Sequence, residues 1–243
     1  MFKTLFIAPI YNAFIYITSY VNNSAIVGLI ILTIVIKLIL LYFTYKTVIS
    51  QWYQKLLEPQ VNAIKKRVTD TIEQNKEVFA LYGKYNINPF SGCLPILIQL
   101  PVIIALYKVF YTGIEQYKDL LYSPFDISII SYTVFGLDFS KAVPLLAIFA
   151  GLVQFLYGYV SQKRLSYIEK HVNIGIIKED VPTGQFDMNS ILKKQMMFLA
   201  PAMIIGFGLY LPGAVSLYWI ISTGFSIIQE WTMWQSWKRK HIN

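Results

Sequence analysis

The sequence predicts an all-α membrane protein: a five-transmembrane-helix bundle with a cytoplasmic helical hairpin and a hydrophilic groove. Three observations lead to this prediction. The chain is 56% hydrophobic and only 14% charged, whereas soluble domains contain about 25% charged residues. Its apolar residues gather in five long runs, and most of its basic residues lie between those runs. Polar residues, one of them a lysine, recur within the runs.

Each of the five runs is considered a span, because a helix rises about 1.5 Å per residue across a hydrocarbon core of about 30 Å. The fourth run is short and contains Pro201, which suggests local thinning of the bilayer. A Pro-Gly pair at Pro212 predicts a tight turn between the last two spans. The predicted spans are Ala25–Phe43, Gly92–Tyr111, Ala142–Val160, Met196–Leu211 and Gly213–Trp231.

The distribution of lysine and arginine predicts the topology. Sixteen of these residues lie in connections 44–91 and 161–195 and in the C-terminal tail, against three in segments 1–24 and 112–141. Cytoplasmic loops carry the excess of positive charge, so the N-terminus is expected outside and the C-terminus in the cytoplasm. No transit peptide is recognisable, and we therefore expect a multi-pass protein of a bacterial plasma (inner) membrane.

The runs divide the chain into an outer segment, a core and a tail. Residues 1–24 are interrupted by Pro9 and Asn12 and contain scattered aromatic residues, which favours an interfacial helix on the outer surface. A signal peptide and a sixth span are the alternatives. Residues 25–231 form the predicted five-span core, and residues 232–243 form a basic cytoplasmic tail.

The connection between the first two spans is predicted to form a helical hairpin over residues 46–85. Leu57, Val61 and Ile64 recur at helical spacing, and Val68 continues their stripe. Pro59 is expected to kink or restart the first helix of the hairpin, because proline removes an interior hydrogen bond. A second apolar stripe comprises Ile72, Phe79 and Tyr82.

Lys37 stands within the apolar run of the first span. A charged side chain at a helix centre costs roughly 2.5–3.5 kcal/mol on the insertion scale, so its presence needs an explanation. Snorkelling toward the cytoplasmic end is one explanation. A water-filled cavity is the other, and it is favoured because Thr33, Lys37 and Thr44 are predicted to share one face of the helix.

Polar residues also recur in the other predicted spans. In the fifth span these polar residues share one helix face. The second span contains one glutamine, and the third span contains another. A lone glutamine could instead make an interhelical hydrogen bond, worth about 0.6 kcal/mol. The spans contain no carboxylate except Glu230 at the cytoplasmic end, so we predict a positive groove around Lys37 that attracts acidic or polar peptide segments. The residues assigned to this groove are Thr33, Lys37, Gln99, Gln154, Trp219, Ser222 and Gln229.

Nothing in the sequence indicates a catalytic residue, a cofactor or a metal site. The lone Cys93 cannot form an internal disulfide, and His171 and His241 lie far apart without ligand-spaced neighbours. No nucleophile elbow and no glycine-rich phosphate loop occurs. The basic residues lie in loops, as expected at an anionic membrane face, so DNA is not an expected partner.

Three stretches of the sequence resemble the YidC-type membrane protein insertases. The first is "ILTIVIKLILLYFTYKTV", which is followed by the charged hairpin. The second is "YNINPFSGCLPILIQLPVIIALYKVFY", and the third is "LPGAVSLYWIISTGFSIIQEW". The order and spacing of the motifs agree with the family, and the resemblance covers roughly Ala25 to Trp231. Only about 24 residues precede the first span, so we expect no large periplasmic domain like that of some bacterial members.

The resemblance implies a groove that is open to the cytoplasm and to lipid but closed outside. It implies Sec-independent insertion of short-tailed membrane proteins, and cooperation with the Sec translocon for others. Nascent membrane proteins, the bilayer, the ribosome and the Sec translocon are the implied partners. Gln154 and Trp219 match groove-lining positions, whereas Lys37 replaces the usual arginine and lacks its bidentate fork. The residues assigned to docking on the hairpin are Lys65, Lys66 and Arg67.

Two functions other than insertion are possible for such a sequence. A small-solute (anion) transporter or channel could use Lys37 as an anion site, but the spans show no internal repeat of the kind that marks many transporters. The long charged hairpin would also serve no obvious purpose in a transporter. A purely structural subunit would leave the polar residues within the spans unexplained.

Overall fold

The computed structural model describes residues 3–88, 94–111, 113–122, 127, 129–171 and 188–241. These residues are mostly helical, which confirms the all-α part of the prediction. The helices are α1 (Ala8–Tyr20), α2 (Ala25–Ile39), α3 (Leu41–Arg67), α4 (Thr71–Lys84), α5 (Leu94–Tyr111), α6 (Pro144–His171), α7 (Met188–Gly208) and α8 (Gly213–His241). A π-helical turn (Lys3–Ile7), a 3-10 helix (Ile114–Leu120) and the strands β1 (Thr133–Val134) and β2 (Leu137–Asp138) complete the described structure.

The first apolar run is divided by a sharp bend. Helix α2 ends at Ile39, α3 begins at Leu41, and the two axes differ by 61°. The bend contains neither proline nor glycine, so the usual sequence signals of a helix break are missing. The predicted span Ala25–Phe43 is therefore not one continuous helix, and Thr44 lies beyond the bend from Thr33 and Lys37.

Length and hydropathy single out α6 as the one described helix able to cross a bilayer by itself. The bent pair α2 and α3 is also long and apolar enough to cross a bilayer if its two parts count as one span. Shorter apolar helices cover Gln99–Tyr111 and Met197–Gly208. The apolar side chains of α6 are largely exposed, Leu145 to 77%. A large exposed apolar surface is typical of contact with a membrane or with another protein. The count of five spans remains a prediction.

A first hydrophobic cluster joins α1, α2, α5, the segment before α6 and the start of α8. Tyr11 and Phe14 of α1 are buried in it, and the Phe14 ring meets Phe110 of α5 edge to face at 5.4 Å between centroids. Asn12 links the same helix to the segment after α5. Its amide donates to the Leu120 carbonyl at 2.7 Å, and its Oδ1 accepts from the Tyr122 N–H at 2.7 Å. The described part of residues 1–24 is thus a helix packed on the core.

A second cluster joins the middle of α3 to the C-terminal parts of α6 and α8. Trp52 of α3 is fully buried, and its ring meets those of Trp234 and Trp237 at 5.9 Å and 5.4 Å. Helix α8 continues through the predicted basic tail as far as His241. The tail is therefore a packed helical extension over the residues that the structure describes.

Helices α3 and α4 form the hairpin that was predicted for residues 46–85. Helix α3 includes Pro59 without restarting there, and Asp70 caps α4 by accepting from the Glu73 N–H at 3.1 Å. An aspartate is a preferred N-cap because it satisfies free amide groups of the first turn. The second predicted stripe is buried only in part: Tyr82 is half-buried, whereas Ile72 is 67% exposed and Phe79 is 51% exposed.

Candidate functional site

Lys37 of α2 lies against α8 in the structure. Its ammonium donates to Ser226 Oγ at 3.0 Å, and that hydroxyl in turn donates to the Ser222 carbonyl at 2.9 Å. The lysine is half-buried. Within the described residues, no carboxylate lies in ion-pair range of Lys37. The side chain is therefore a positive charge held by a neutral hydroxyl group.

Gln229 of α8 reaches the other side of the α2–α3 bend. Its amide donates to Thr44 Oγ1 at 2.6 Å, and the Leu41 carbonyl lies 3.5 Å from the same nitrogen. Thr33 makes no such bridge, because it is buried and donates to the Leu29 carbonyl of its own helix at 2.7 Å. Of the three residues predicted to share a face, Lys37 and Thr44 therefore hydrogen-bond to α8, whereas the Thr33 hydroxyl bonds within its own helix.

The two predicted glutamines also bond to α8. The Gln99 amide of α5 donates to the hydroxyl of Tyr218, which is buried. Gln154 Oε1 of α6 accepts from Thr223 Oγ1 at 3.1 Å. These are interhelical hydrogen bonds, the arrangement that was the alternative to a groove-lining role for a single glutamine.

Helix α8 is thus the helix to which the polar residues of the candidate site form hydrogen bonds. It carries bonds to α2, α3, α5 and α6 from one stretch of about three turns, since a turn holds 3.6 residues. Ser222 is buried, while Trp219 is half-buried and packs against the first cluster. Sequence reasoning did not assign Tyr218 and Thr223 to the site. A residue that looks like ordinary core, as Tyr218 does, gives no signal until its partner is known.

An ion pair that the sequence did not reveal lies next to these residues. Arg164 of α6 and Glu230 of α8 approach to 3.2 Å, and both side chains are largely buried. The sequence alone identifies Glu230 as the single carboxylate in the predicted spans but not its partner. An arginine just beyond an apolar run is the signal that could have identified its partner.

A second charged group joins α3 to α6. Lys55 Nζ lies 2.6 Å from Glu58 and 2.9 Å from Glu169. Burial alone would lower the pKa of Lys55, but the hydrogen bonds and charges of the two glutamates outweigh it and raise the pKa overall. These contacts lie beside the second cluster, so charge and aromatic packing hold the base of the hairpin together.

The three cations assigned to docking differ in their contacts. Lys65 and Lys66 are exposed near the turn of the hairpin. The Arg67 guanidinium forms an ion pair with Glu77 of α4 and so helps to join the two helices. Over the ranges that the structure covers, no group of three or more His, Cys, Asp or Glu side chains could hold a metal ion.

Comparison with known proteins gives concordant matches. The family model described as 60Kd inner membrane protein matches residues 16–240. A protein of Syntrophobacter fumaroxidans named Membrane protein insertase YidC is 27% identical over 230 residues, which are 91% of this chain and 35% of that protein. The protein of the same name from Alkalihalophilus pseudofirmus is 29% identical over 234 residues, 93% of this chain and 79% of the relative. That of Rickettsia bellii is 39% identical over 109 residues, 44% of this chain and 19% of the relative.

The chain spans little more than a third of the length of several of these relatives, as in Actinobacillus pleuropneumoniae, where it covers 38%. The family model nevertheless covers nearly the whole chain, including α2 to α8. The resemblance seen in the sequence motifs is thereby confirmed. The protein belongs to the 60Kd inner membrane protein family, the YidC/Oxa1 family of membrane proteins.

Proposed function

We propose that this protein inserts nascent membrane proteins into the lipid bilayer. Family membership supports the proposal, since the relatives described above are named membrane protein insertases. The observation that carries it for this chain is the state of Lys37. A half-buried ammonium on an apolar helix, held by the Ser226 hydroxyl at 3.0 Å, keeps its positive charge available to an incoming acidic segment.

The proposed groove runs along α8 toward α2, α5 and α6. Lys37, Gln99 and Gln154 contribute polar groups to it, and their present partners on α8 are hydroxyl groups. Such hydrogen bonds are worth about 0.6 kcal/mol in membranes. A polar tail entering from the cytoplasm can therefore replace them at little cost, and it is hydrated midway across the bilayer.

Burial of apolar surface drives the proposed reaction. As the polar tail occupies the groove, the following apolar segment moves into lipid along α6 and α8. Transfer is worth about 0.8 kcal/mol for each CH₂ group removed from water, so a segment of about 20 apolar residues releases far more than the groove contacts cost. No covalent bond is made or broken in this process, so the proposal assigns no enzymatic activity.

The proposed topology places five spans in the membrane, with the N-terminus outside and the α3–α4 hairpin and the end of α8 in the cytoplasm. The hairpin receives substrates or ribosomes through Lys65 and Lys66, which are exposed. The basic end of α8, packed against Trp52 through Trp237, presents further positive charge on the same side. Cooperation with the Sec translocon for larger substrates is part of the same proposal.

The test combines crosslinking with insertion. A photoreactive amino acid replaces Ile34, which is exposed one turn before Lys37 on α2, so that Lys37 is retained; this variant is used during translation of a short-tailed membrane protein in the presence of proteoliposomes. We expect a crosslink to the polar tail of the substrate and protease-resistant insertion. A matched probe at exposed Glu115, on the opposite side in the proposed topology, should give none. Lys37-dependent uptake of a small anion without any crosslink to the nascent chain would instead indicate a transporter.

A further inference from the structure

The turn between β1 and β2 holds an aromatic residue, Phe135, in an unfavourable backbone conformation. The strands pair Val134 with Leu137, so the turn consists of Phe135 and Gly136. Both have positive φ, 52° and 78°, as in the two-residue turns that favour Asn-Gly. A positive φ is strained for a bulky residue, yet an aromatic residue occupies the first position.

The Phe135 side chain is also fully exposed, at 101% of its reference area. A phenylalanine that costs conformational energy and packs against none of the residues that the structure describes is not explained by the stability of the hairpin. Strained residues persist where the surroundings or the function require them. The ring is therefore placed to contact something outside this chain.

The backbone contacts of this segment fix its position relative to the helix ends. The Ala25 N–H at the start of α2 donates to the Ser131 carbonyl at 2.9 Å. At the start of α8, the Gly213 N–H donates to the Lys141 carbonyl at 2.7 Å and the Ala214 N–H donates to the Phe139 carbonyl at 3.1 Å. The hairpin is thus tied to the ends at which α2 and α8 begin, and α6 begins six residues after β2.

In the proposed topology these helix ends lie at the outer face of the bilayer. Aromatic residues are enriched at that depth, where hydrocarbon gives way to headgroups. The neighbouring side chains fit the same surroundings, because Leu137 in β2 is 47% exposed and Leu145 in the first turn of α6 is 77% exposed. An aqueous partner would not account for apolar exposure that continues onto a helix facing lipid.

We propose that Phe135, at the tip of the β1–β2 turn, is a membrane anchor that inserts into the headgroup region of the outer leaflet. The proposal rests on the proposed topology but not on insertase activity. The anchor fixes the depth in the bilayer of residues 131–141, which pack on the first cluster. Through their backbone contacts it also fixes the depth of the outer ends of α2 and α8.

The experiment places an environment-sensitive nitrobenzoxadiazole label at position 135. Cys93 is first replaced by serine, and Phe135→Cys is then labelled in nanodiscs of phosphatidylethanolamine and phosphatidylglycerol, where both faces are open to solvent. Glu115→Cys is the matched control, because its side chain is 71% exposed in the polar part of the same outer segment. Unchanged helicity by circular dichroism shows that both variants are folded.

We expect the label at position 135 to have blue-shifted emission, to lose intensity with lipids spin-labelled near the headgroup, and to resist aqueous iodide. The label at position 115 should behave in the opposite way. Iodide quenching of position 135 equal to that of position 115 would show that the tip faces water and would overturn the proposal. Protection from both quenchers would indicate a protein contact and would also overturn it. Insertion of a substrate by the unlabelled protein is a separate measurement, so failure of the anchor and failure of the proposed function can be distinguished.

Discussion

Ser226 on α8 accepts a hydrogen bond from the ammonium of Lys37 on α2, with 3.0 Å between Nζ and Oγ. Three residues later on α8, Gln229 donates to Thr44 of α3 at 2.6 Å. The two contacts lie on opposite sides of the 61° bend between α2 and α3. One helix therefore holds both arms of the bend, and the charge of Lys37 lies beside this junction.

The charge of Lys37 is the first property to test. We expect Lys37→Ala and Lys37→Glu to slow insertion of a substrate with an acidic N-terminal tail, because the Coulomb attraction is lost or reversed. Lys37→Arg should preserve insertion, since a single hydroxyl group such as that of Ser226 does not require a particular cation geometry. Insertion into proteoliposomes is measured by protease protection, with Lys118→Glu on the exposed outer segment as the control. Normal insertion by the Lys37→Glu variant would refute the electrostatic part of the mechanism.

The Thr44–Gln229 contact should stabilise the bend by a small, measurable amount. In a double-mutant cycle of Thr44→Val and Gln229→Leu, we expect a coupling free energy of about 0.6 kcal/mol, the average for such bonds in membranes. Chemical denaturation in mixed micelles gives the free energies of unfolding. Thr33→Val serves as the control partner, because the Thr33 hydroxyl bonds to its own helix and should show no coupling with Gln229→Leu. A coupling near zero for Thr44 and Gln229 would mean that the contact does not hold the bend.

The sequence predicted the helical class and the polar character of the site better than its geometry. Apolar length and spacing identified runs that contain α2 and α5 and that overlap α6, α7 and α8, and the lack of a carboxylate near Lys37 followed from composition. The bend at Leu40 was not predictable, because the run "IKLILLYF" is uniformly helix-compatible and the bend is accompanied by tertiary contacts with α8. Ser226 and Tyr218 became recognisable as partners only when packing brought them to Lys37 and Gln99.

The contact between α1 and α2 should be sensitive to one methyl group. A Cβ on Gly28 would lie 2.2 Å from Thr18 Oγ1, so we expect Gly28→Ala to lower the thermal unfolding temperature. Thr18→Ala should restore part of the loss, because the clash is chiefly with the hydroxyl oxygen. That buried oxygen has no hydrogen-bond partner among the described residues, so its removal alone should cost little. Gly206→Ala is the control, since a Cβ there meets nothing within 4 Å. Equal effects of Gly28→Ala and Gly206→Ala would contradict the predicted close packing.

The exposed lysines of the hairpin should contribute to ribosome binding. We expect the double variant Lys65→Glu, Lys66→Glu to bind ribosome–nascent chain complexes more weakly, and more so at low salt, because electrostatic attraction to RNA phosphates is screened by salt. Binding is measured by flotation of nanodiscs at two salt concentrations. The matched control is Lys118→Glu, Lys141→Glu, which makes the same change of charge at two exposed lysines of the outer segment. If both double variants bind like the parent, docking does not involve this surface.

The buried pair of Arg164 and Glu230 should be costly to break but not to replace. Either Arg164→Ala or Glu230→Gln leaves one charge uncompensated in a largely buried site, so we expect a loss of about 3–5 kcal/mol in the free energy of unfolding. The double variant Arg164→Met, Glu230→Leu fills the space with apolar groups and should recover most of that stability. Lys141→Ala is the control for a solvent-exposed pair with Asp138, where we expect a loss of less than about 1 kcal/mol.

Recovery in the double variant would show that the charges are not needed to hold α6 against α8. An insertion assay on that stable double variant then tests whether the buried charges contribute to function. A double variant as unstable as the single ones would contradict the prediction and assign the pair a structural role that apolar packing cannot supply.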